Sequence, residues 1–402
     1  MTVKQIYELM NTVTSEVLGK TGLVAEDLSN VVDVGTEVFN ATAVDNYVKT
    51  LVNHIGKVIF VNRPYSGKIP SVLMDSWEFG SVLEKISCDT PAAEENESWD
   101  LVDGQEYKQD IFYKPTVSAK FFNSKVTFEV PMSFTEKQVK ESFSNAAQLN
   151  GFISMIYNAV DRSMTIKIDG LVMRTINSMI AQTLNADKTA FAGGYGTAST
   201  ARCVNLLKLY NNKFFPAGTG STANPDALTA DKAIYDPDFI RFASYTMGVY
   251  VDRLASISTL FNVGGKDRFT DANNLHVIML SDFAKGADVY LQSDVRHNEM
   301  TRLPNYETVP YWQGSGQNYE FDSTSAINVK IDASTTVDID GIVGVMFDRD
   351  ALGVSNLDRR VTTAYNAKAE FFNNYYKFDA GYFNDTNENF VVFFVSDEKT
   401  GS

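Results

Sequence analysis

The chain has 402 residues, of which 44% are hydrophobic and 21% are charged, a composition typical of folded globular proteins. It contains no uninterrupted apolar run of about 18 residues, so we expect no membrane-spanning helix. The net charge of −15 argues against a protein that binds nucleic acid through phosphate contacts, because such binding needs clustered Lys and Arg.

The cysteines and histidines give no sign of a disulfide framework or of a metal site. Cys88 and Cys203 lie far apart in unlike surroundings, and the three histidines are also widely separated. Sites built from these residue types have short, regular spacings. We therefore expect no metal and no cofactor, and the cysteine usage fits a protein that assembles in a reducing cytoplasm.

Residues 1–55 are predicted to form short amphipathic helices. In VKQIYELMNTVTSEVLG, apolar residues recur at helical spacing and Gly19 follows as a stop. The segment NATAVDNYVKTLVNHIG shows a similar apolar stripe. We interpret this part of the chain as an arm without a core of its own.

Residues 62–130 are predicted to form a long, two-armed β extension. Its strand-like segments flank an acidic run from Asp89 to Asp110, which holds eight acidic residues and one Lys. Such a run is either a solvated loop or an element that docks on a partner, and the sequence leaves both alternatives open. In the second case, the candidate contact residues are Glu94, Glu95 and Glu97.

A pair of helices is predicted to follow this extension. Ser133 and Glu136 have the spacing of a capping box, which predicts a helix start there and an end near Leu149. Gly151 breaks the pattern, and Asn150 is a suitable cap for a second helix. In that second helix, apolar residues recur every three or four positions for about 35 residues, which is far longer than the average helix.

Residues 188–341 are predicted to form a mixed α/β subdomain. It opens with loops rich in Gly, Ala, Thr and Asn, after which Asp236 caps a helix with Pro237 at its first position. LHVIML is predicted to be a buried strand, SDFAKGADVYLQ a helix, and several short strands follow. From Ile342 to the end of the chain, the pattern returns to strands.

The stretch EFFNNYYKFDAGYFND near the end of the chain is the densest aromatic segment. The adjacent pairs Phe371–Phe372 and Tyr375–Tyr376 place aromatic side chains on both faces of a strand, which favours a core or a subunit interface. Asp379 and Gly381 are expected to form a turn or bulge within it, so that the stretch makes a strand pair buried on both faces. A sugar-binding platform is the alternative. We expect Phe372 and Tyr376 to be needed for folding or assembly.

No catalytic motif emerges from the sequence. The Gly-rich segments lack the spacing of a phosphate-binding loop, and VDIDG contains only a fragment of a calcium loop. WQGSGQ lacks the spacing of a nucleophile elbow. We therefore expect that the chain is not an enzyme.

Four segments, taken in chain order, carry a resemblance to a known family. They are AVDNYVKTLVNHIGKVIFV, EKQVKESFSNAAQLNGFISMIYNAVDRSM, HVIMLSDFAKGADVYL and VGVMFDRDALGVSNLDRRVTTAYNAKAEFFNNYYKFDAGYF. Their order resembles that of major capsid proteins of tailed bacteriophages, most closely those of small short-tailed phages. The resemblance implies an α+β chain with the Hong Kong 97-type fold. It implies an N-terminal arm (1–55), an E-loop (56–115), a peripheral (P) domain with the spine helix (116–187), an axial (A) domain (188–341) and returning P-domain strands (342–402).

The same resemblance implies a function in assembly. Many copies would form hexamers and pentamers of an icosahedral shell that encloses double-stranded DNA without sequence-specific binding. A separate scaffolding protein and a portal protein would be partners, with assembly in the host cytoplasm and the virion as the final location. Arg359 and Arg360 of NLDRRV would lie where subunits meet. The alternatives are an encapsulin-like compartment shell or, in a different class, a carbohydrate-binding or carbohydrate-active protein.

Overall fold

The computed structural model describes residues 3–19, 24–26, 28–30, 32–34, 36, 50, 69, 72–74, 83–88, 91, 93–107, 110, 112, 114, 116–142, 146–191, 194–216, 224–292, 306–313 and 321–397. The chain divides into two compact units. Unit 1 comprises 1–78, 124–172 and 354–381, and unit 2 comprises 79–123, 173–353 and 382–402.

The described part of the chain contains both helices and strands, consistent with the predicted α+β class. The helices are α1 (Val3–Leu18), α2 (Glu136–Ser142), α3 (Ala146–Ala186), α4 (Leu206–Phe214), α5 (Ala230–Ala233), α6 (Pro237–Ala255), α7 (Ser281–Gln292) and α8 (Phe321–Thr324). None of them is long and apolar enough to cross a membrane.

The strands form two larger sheets and two hairpins. They are β1 (Leu73–Met74), β2 (Leu83–Cys88), β3 (Val117–Phe122), β4 (Lys125–Thr135), β5 (Cys203–Asn205), β6 (Leu275–Leu280), β7 (Tyr306–Val309), β8 (Ile327–Lys330), β9 (Thr336–Ile339), β10 (Ile342–Asp348), β11 (Leu352–Asn366), β12 (Phe371–Asn384) and β13 (Phe390–Phe394). The four-stranded sheet has the order β1-β11-β12-β4, and the five-stranded sheet has the order β5-β13-β10-β6-β7. The two-stranded pairs are β2-β3 and β8-β9.

Unit 1 is organised around the antiparallel pairing of β4 with β12. The register runs without interruption from Phe371 opposite Thr135 to Gly381 opposite Lys125. Side chains on one face of these strands pack against α3, where the ring of Phe134 lies 5.5 Å from that of Phe152, centroid to centroid. This aromatic contact is worth about 0.5–1.5 kcal/mol beyond the area that it buries.

The predicted helix starts in unit 1 are wrong in detail. The capping box is formed by Thr135 and Gln138: the Thr135 amide donates to Gln138 Oε1 at 2.9 Å, and the Gln138 amide donates to Thr135 Oγ1 at 3.2 Å. Ser133 lies in β4 and its hydroxyl donates to Asn373 Oδ1. The helix cap lies two residues later than predicted because β12 pairs with β4 as far as Thr135.

The predicted break at Asn150 and Gly151 is also wrong. Both residues lie inside α3. Leu149, Ile153 and Ile156 are fully buried at helical spacing on either side of the glycine. Their burial outweighs the cost of a helical Gly, which is about 1 kcal/mol.

Unit 2 contains a mixed α/β core, whose five-stranded sheet includes β10 and β13 from beyond the predicted bounds of 188–341. Asp236 caps α6 through a hydrogen bond from the Phe239 amide at 2.8 Å, and Pro237 occupies the first turn. LHVIML forms β6 and SDFAKGADVYLQ forms α7, as predicted. The helices cover the five-stranded sheet with a continuous set of buried residues that includes Phe239, Met247 and Phe393.

The predictions for the aromatic stretch and for the N-terminal helices have different outcomes. No turn occurs at Asp379 and Gly381, because β12 is one continuous strand paired with an equally extended β4. As far as Ala380 the segment is buried on one face only, since Phe371 and Tyr375 on the other face are half-exposed, whereas the buried positions shift by one residue at Gly381, so that Phe383 is buried. The N-terminal helix is confirmed as α1, whereas NATAVDNYVKTLVNHIG lies outside the described residues, except for Thr50.

Candidate functional site

The hairpin of β2 and β3 in unit 2 has two chemically different faces. Its register places Leu83 opposite Phe122, Lys85 opposite Lys120, and Ser87 opposite Ser118. Because side chains alternate along a strand, these three pairs share one face. This inner face is half-buried or buried, and Phe122 packs against Phe383 of the body of unit 2 at 5.0 Å between ring centroids.

The inner face carries an unusual pair of like charges. Lys85 and Lys120 lie directly opposite each other, an arrangement that is destabilising by itself. Asp385 resolves it by placing Oδ2 3.0 Å from Lys85 Nζ and Oδ1 2.9 Å from Lys120 Nζ. Only 2% of the Asp385 side chain is exposed, so its charge depends on these two partners.

Further groups complete this charged cluster. Glu388 Oε1 lies 2.7 Å from Lys85 Nζ, and Glu388 Oε2 lies 3.2 Å from Arg268 Nε. Burial raises the pKa of Asp385, but the hydrogen bond from Lys120 and the charge of Lys85 outweigh it, so the pKa is lowered. Burial likewise lowers the pKa of Lys85, while Glu388 and Asp385 outweigh it and raise the pKa. We call the set of Lys85, Lys120, Arg268, Asp385 and Glu388 the hairpin clamp.

The outer face of the hairpin is apolar and exposed. Ile86 is 66% exposed, Phe121 61% and Val117 60%. A hairpin that folds against its own body normally buries such residues and exposes its lysines and serines. The inverted pattern leaves an apolar surface exposed on the outer face.

The loop between β2 and β3 is acidic and exposed at its described residues. Glu94 and Glu95 are exposed, while the side chain of Glu97 lies outside the described set. Trp99 is 94% exposed, and Leu101 and Val102 are also exposed. The loop therefore presents large apolar side chains among its carboxylates, a composition that a purely solvated loop does not need.

The aromatic stretch lies in β12. Phe372 and Tyr376 are buried within the chain itself, as is Phe378. This buried face provides no platform for a sugar, so the structure lends no support to the carbohydrate alternative. This burial favours a role of the two residues in folding, and that role and any part in subunit contact stay predictions.

The candidate arginines lie on β11. Arg360 Nη1 lies 2.7 Å from Asp379 Oδ2, and this bond, with a further one from Thr127, lowers the pKa of Asp379. The side chain of Arg359 lies outside the described residues. A contact of either arginine with a neighbouring copy stays a prediction. Among the described residues, no cluster of three or more potential metal ligands occurs.

The sequence candidates are thus distributed over both units, and the structure does not gather them into one site. The hairpin clamp was missed, because its members are separated by up to about 300 residues in the chain. One signal was available for the hairpin itself. KISC in β2 and VSAK in β3 alternate polar and apolar residues at a period of two, and the register of the two strands would have shown the two lysines on one face.

One comparison with known proteins identifies a family. The family model for Phi29-like phage major capsid proteins matches residues 10–394. No curated protein sequence matches the chain.

Solved structures give the same picture of the fold. The capsid structure of Staphylococcus phage Andhra is 7% identical, covers 83% of this chain and 86% of that chain, and has a TM-score of 0.50. The capsid structure of the cyanophage P-SCSP1u is 10% identical, covers 83% of this chain and 90% of that chain, and has a TM-score of 0.44. The likeness to the Andhra capsid shows a shared fold, and the predicted Hong Kong 97-type capsid fold is confirmed.

Proposed function

Because this chain belongs to the Phi29-like phage major capsid protein family, and so is a structural subunit that self-assembles into an icosahedral phage shell, we propose that its β2-β3 hairpin joins neighbouring copies. The observation that carries this proposal is the exposed apolar outer face of Ile86, Val117 and Phe121. Fully burying one such side chain contributes about 1.5–3 kcal/mol. A contact repeated around a closed shell multiplies this contribution.

The inner face explains why the hairpin keeps its position without a partner. The hairpin clamp and the Phe122–Phe383 contact fix its base on unit 2. A preorganised hairpin loses less conformational entropy when a neighbour binds it. This supports a subunit that is ready to assemble before it meets other copies.

The same proposal includes the domain bounds, the oligomeric forms and the partners that membership of this family suggests. The chain would divide into an arm (1–55), an E-loop (56–115), a P domain (116–187 and 342–402) and an A domain (188–341). Copies would form hexamers and pentamers in the host cytoplasm, with a separate scaffolding protein and a portal protein as partners. The net charge of −15 supports a shell that encloses double-stranded DNA without adhering to it.

The test is a double substitution on the outer face, Ile86→Ser with Phe121→Ser. We expect a folded subunit with an unchanged thermal unfolding midpoint, because both side chains are exposed, and a loss of shells in electron micrographs and in gradient sedimentation. The matched control is Val289→Ser on α7, a residue equally exposed at 64%. Normal shells from the double variant would disprove a contact through this face.

A further inference from the structure

Unit 2 contains a groove that the hairpin contact does not use. It has a volume of about 620 Å³ and lies between α4, α6 and the segment after α6. Its floor and walls are apolar and aromatic, with contributions from Leu209, Phe242, Tyr245, Tyr250, Leu260 and Phe261. Tyr245 and Leu260 are largely exposed although they are large apolar residues, so the surface around the groove is incompletely covered.

Two cations border this groove. Lys213 Nζ lies 5.5 Å from the centroid of the Phe214 ring and 5.7 Å from that of Phe242. The Arg253 guanidinium lies 5.0 Å from the centroid of the Tyr250 ring. Both side chains are exposed, and within the described part of the chain neither has a carboxylate partner. The aromatic rings thus hold two positive charges at the groove edge, and none of the described residues that line it is acidic.

The β2-β3 loop has the complementary chemistry. It carries exposed carboxylates at Glu94, Glu95 and Asp100, next to the exposed apolar side chains of Trp99 and Leu101. A groove with an apolar floor and a cationic edge fits a segment of this composition in both respects. In a chain with a net charge of −15, an edge whose described charges are all positive is a distinctive surface.

We propose that this groove receives the acidic β2-β3 loop of a second copy. The inference rests on the proposed assembly function, and it names the surface that meets the loop. A second copy is the fitting occupant because each subunit of a shell provides one loop and one groove, so that every groove has a loop available. Lys213 and Arg253 meet the carboxylates, while Trp99 or Leu101 covers the exposed apolar wall.

The test is a charge exchange between the two surfaces. Lys213→Glu with Arg253→Glu is expected to lower the assembled fraction at physiological salt by about tenfold or more, because two attractions become repulsions. Glu94→Lys with Glu95→Lys is expected to do the same. Combining the four changes in one chain is expected to restore shells. Lys285→Glu, at an exposed lysine on α7, is the control for a change in net charge.

The outcomes separate this inference from the proposed function. If wild-type shells form and the outer-face double variant abolishes them, the hairpin contact stands whatever the charge exchange shows. Losses without rescue by the combined variant would overturn the inference and indicate a different occupant, such as another protein. A fall in the unfolding free energy of dilute, unassembled Lys213→Glu, Arg253→Glu protein that the further changes Glu94→Lys and Glu95→Lys reverse would also overturn it, because the loop of the same chain would then fill the groove.

Discussion

Lys85 and Lys120 face each other directly across the hairpin and share one buried carboxylate, that of Asp385. Each ammonium bonds a different oxygen of this group, so Asp385 ties both strands to the body of unit 2, beside the Lys85–Glu388 and Phe122–Phe383 contacts. Without Asp385 the two lysines repel each other, and the inner face of the hairpin loses its main polar contact. The position of the hairpin is therefore coupled to one side chain in the turn between β12 and β13.

Asp385→Asn should release the base of the hairpin. The amide keeps the shape of the carboxylate but loses its charge, so only Glu388, through Lys85, still compensates the repulsion between Lys85 and Lys120. We expect amide hydrogen exchange in 83–88 and 117–122 to accelerate by about tenfold, which corresponds to a loss of about 1.4 kcal/mol in local stability. The measurement is hydrogen exchange with mass spectrometry on the unassembled subunit.

Asp288→Asn is the matched control for that change. Asp288 pairs with Lys285 at 3.7 Å on the exposed surface of α7, where an ion pair contributes little. Hydrogen exchange in the hairpin should be the same as in the wild-type protein. Equal protection of the hairpin in Asp385→Asn and Asp288→Asn would show that the hairpin clamp does not hold the strands.

The hairpin clamp should also show a defined pH dependence. The pKa of Asp385 is lowered in the folded state, so its contribution to stability is complete above about pH 4, the unfolded value, and is lost as the pH falls through the folded value. The pKa of Lys85 is raised above 10.5, so its contribution is complete below that pH and is lost above it. The stability difference between wild-type and Asp385→Asn, measured by urea unfolding, should therefore shrink below about pH 4. A difference that persists there would contradict this assignment.

The sequence was most informative where the determinants are local. The start of α6 is set by Asp236 and Pro237, which act within one turn, and both were identified. The capping box was misplaced because S-x-x-E and T-x-x-Q overlap at 133–138, and only the pairing with β12 decides between them. The prediction of a turn at Asp379 was wrong for the same reason. Its strand partner on β4, Thr127, lies 252 residues away in the chain, so the pairing is not visible in the local sequence.

The contacts of the candidate site were even harder to predict from the sequence, because most of them join residues that are far apart in the chain. The acidic loop was recognised from its composition, because a local run of acidic residues is visible in the sequence without any knowledge of tertiary contacts. The hairpin clamp joins Lys85 with residues about 300 positions later, and no periodicity connects them. The groove is equally non-local, because Lys213, Arg253 and Phe261 come from three separate segments.

Tyr376 provides a test that separates packing from hydrogen bonding. The residue is fully buried, and its hydroxyl has no hydrogen-bond partner among the described residues. Tyr376→Phe should therefore change the free energy of unfolding by less than about 1 kcal/mol, whereas Tyr376→Ala should lower it by about 3–5 kcal/mol. Phe372→Ala, at an equally buried position, should match the larger loss. Chemical denaturation of the unassembled subunit measures all three.

Tyr365→Phe is the comparison for the hydroxyl. The Tyr365 hydroxyl donates to Glu136 Oε2 at 3.2 Å, so its removal should lower the free energy of unfolding by about 0.5–1.5 kcal/mol. A larger loss for Tyr376→Phe than for Tyr365→Phe would mean that the buried hydroxyl of Tyr376 has a partner.

Gly341→Ala should be among the most damaging single changes in unit 2. Gly341 has φ of +79°, and a Cβ there would overlap the carbonyl oxygen of Val395. The same strand end is held by the hydrogen bond from the Val395 amide to the Gly341 carbonyl at 2.7 Å. We expect a loss of more than about 3 kcal/mol in denaturation measurements. Gly248→Ala in α6, where a Cβ meets no neighbour, should instead stabilise by about 0.5–1 kcal/mol.

Gly151 tests the continuity of α3. It is exposed and lies inside the helix, and a Cβ added there would meet no neighbouring atom within 4 Å, so alanine should fit without strain. Gly151→Ala should then raise the free energy of unfolding by about 0.5–1 kcal/mol, through the higher helix propensity of Ala. Gly170→Ala, at an exposed position later in the same helix, should give a similar gain. If only Gly170→Ala stabilises, the helix is interrupted at Gly151 in solution, and the break expected from the sequence would be correct after all.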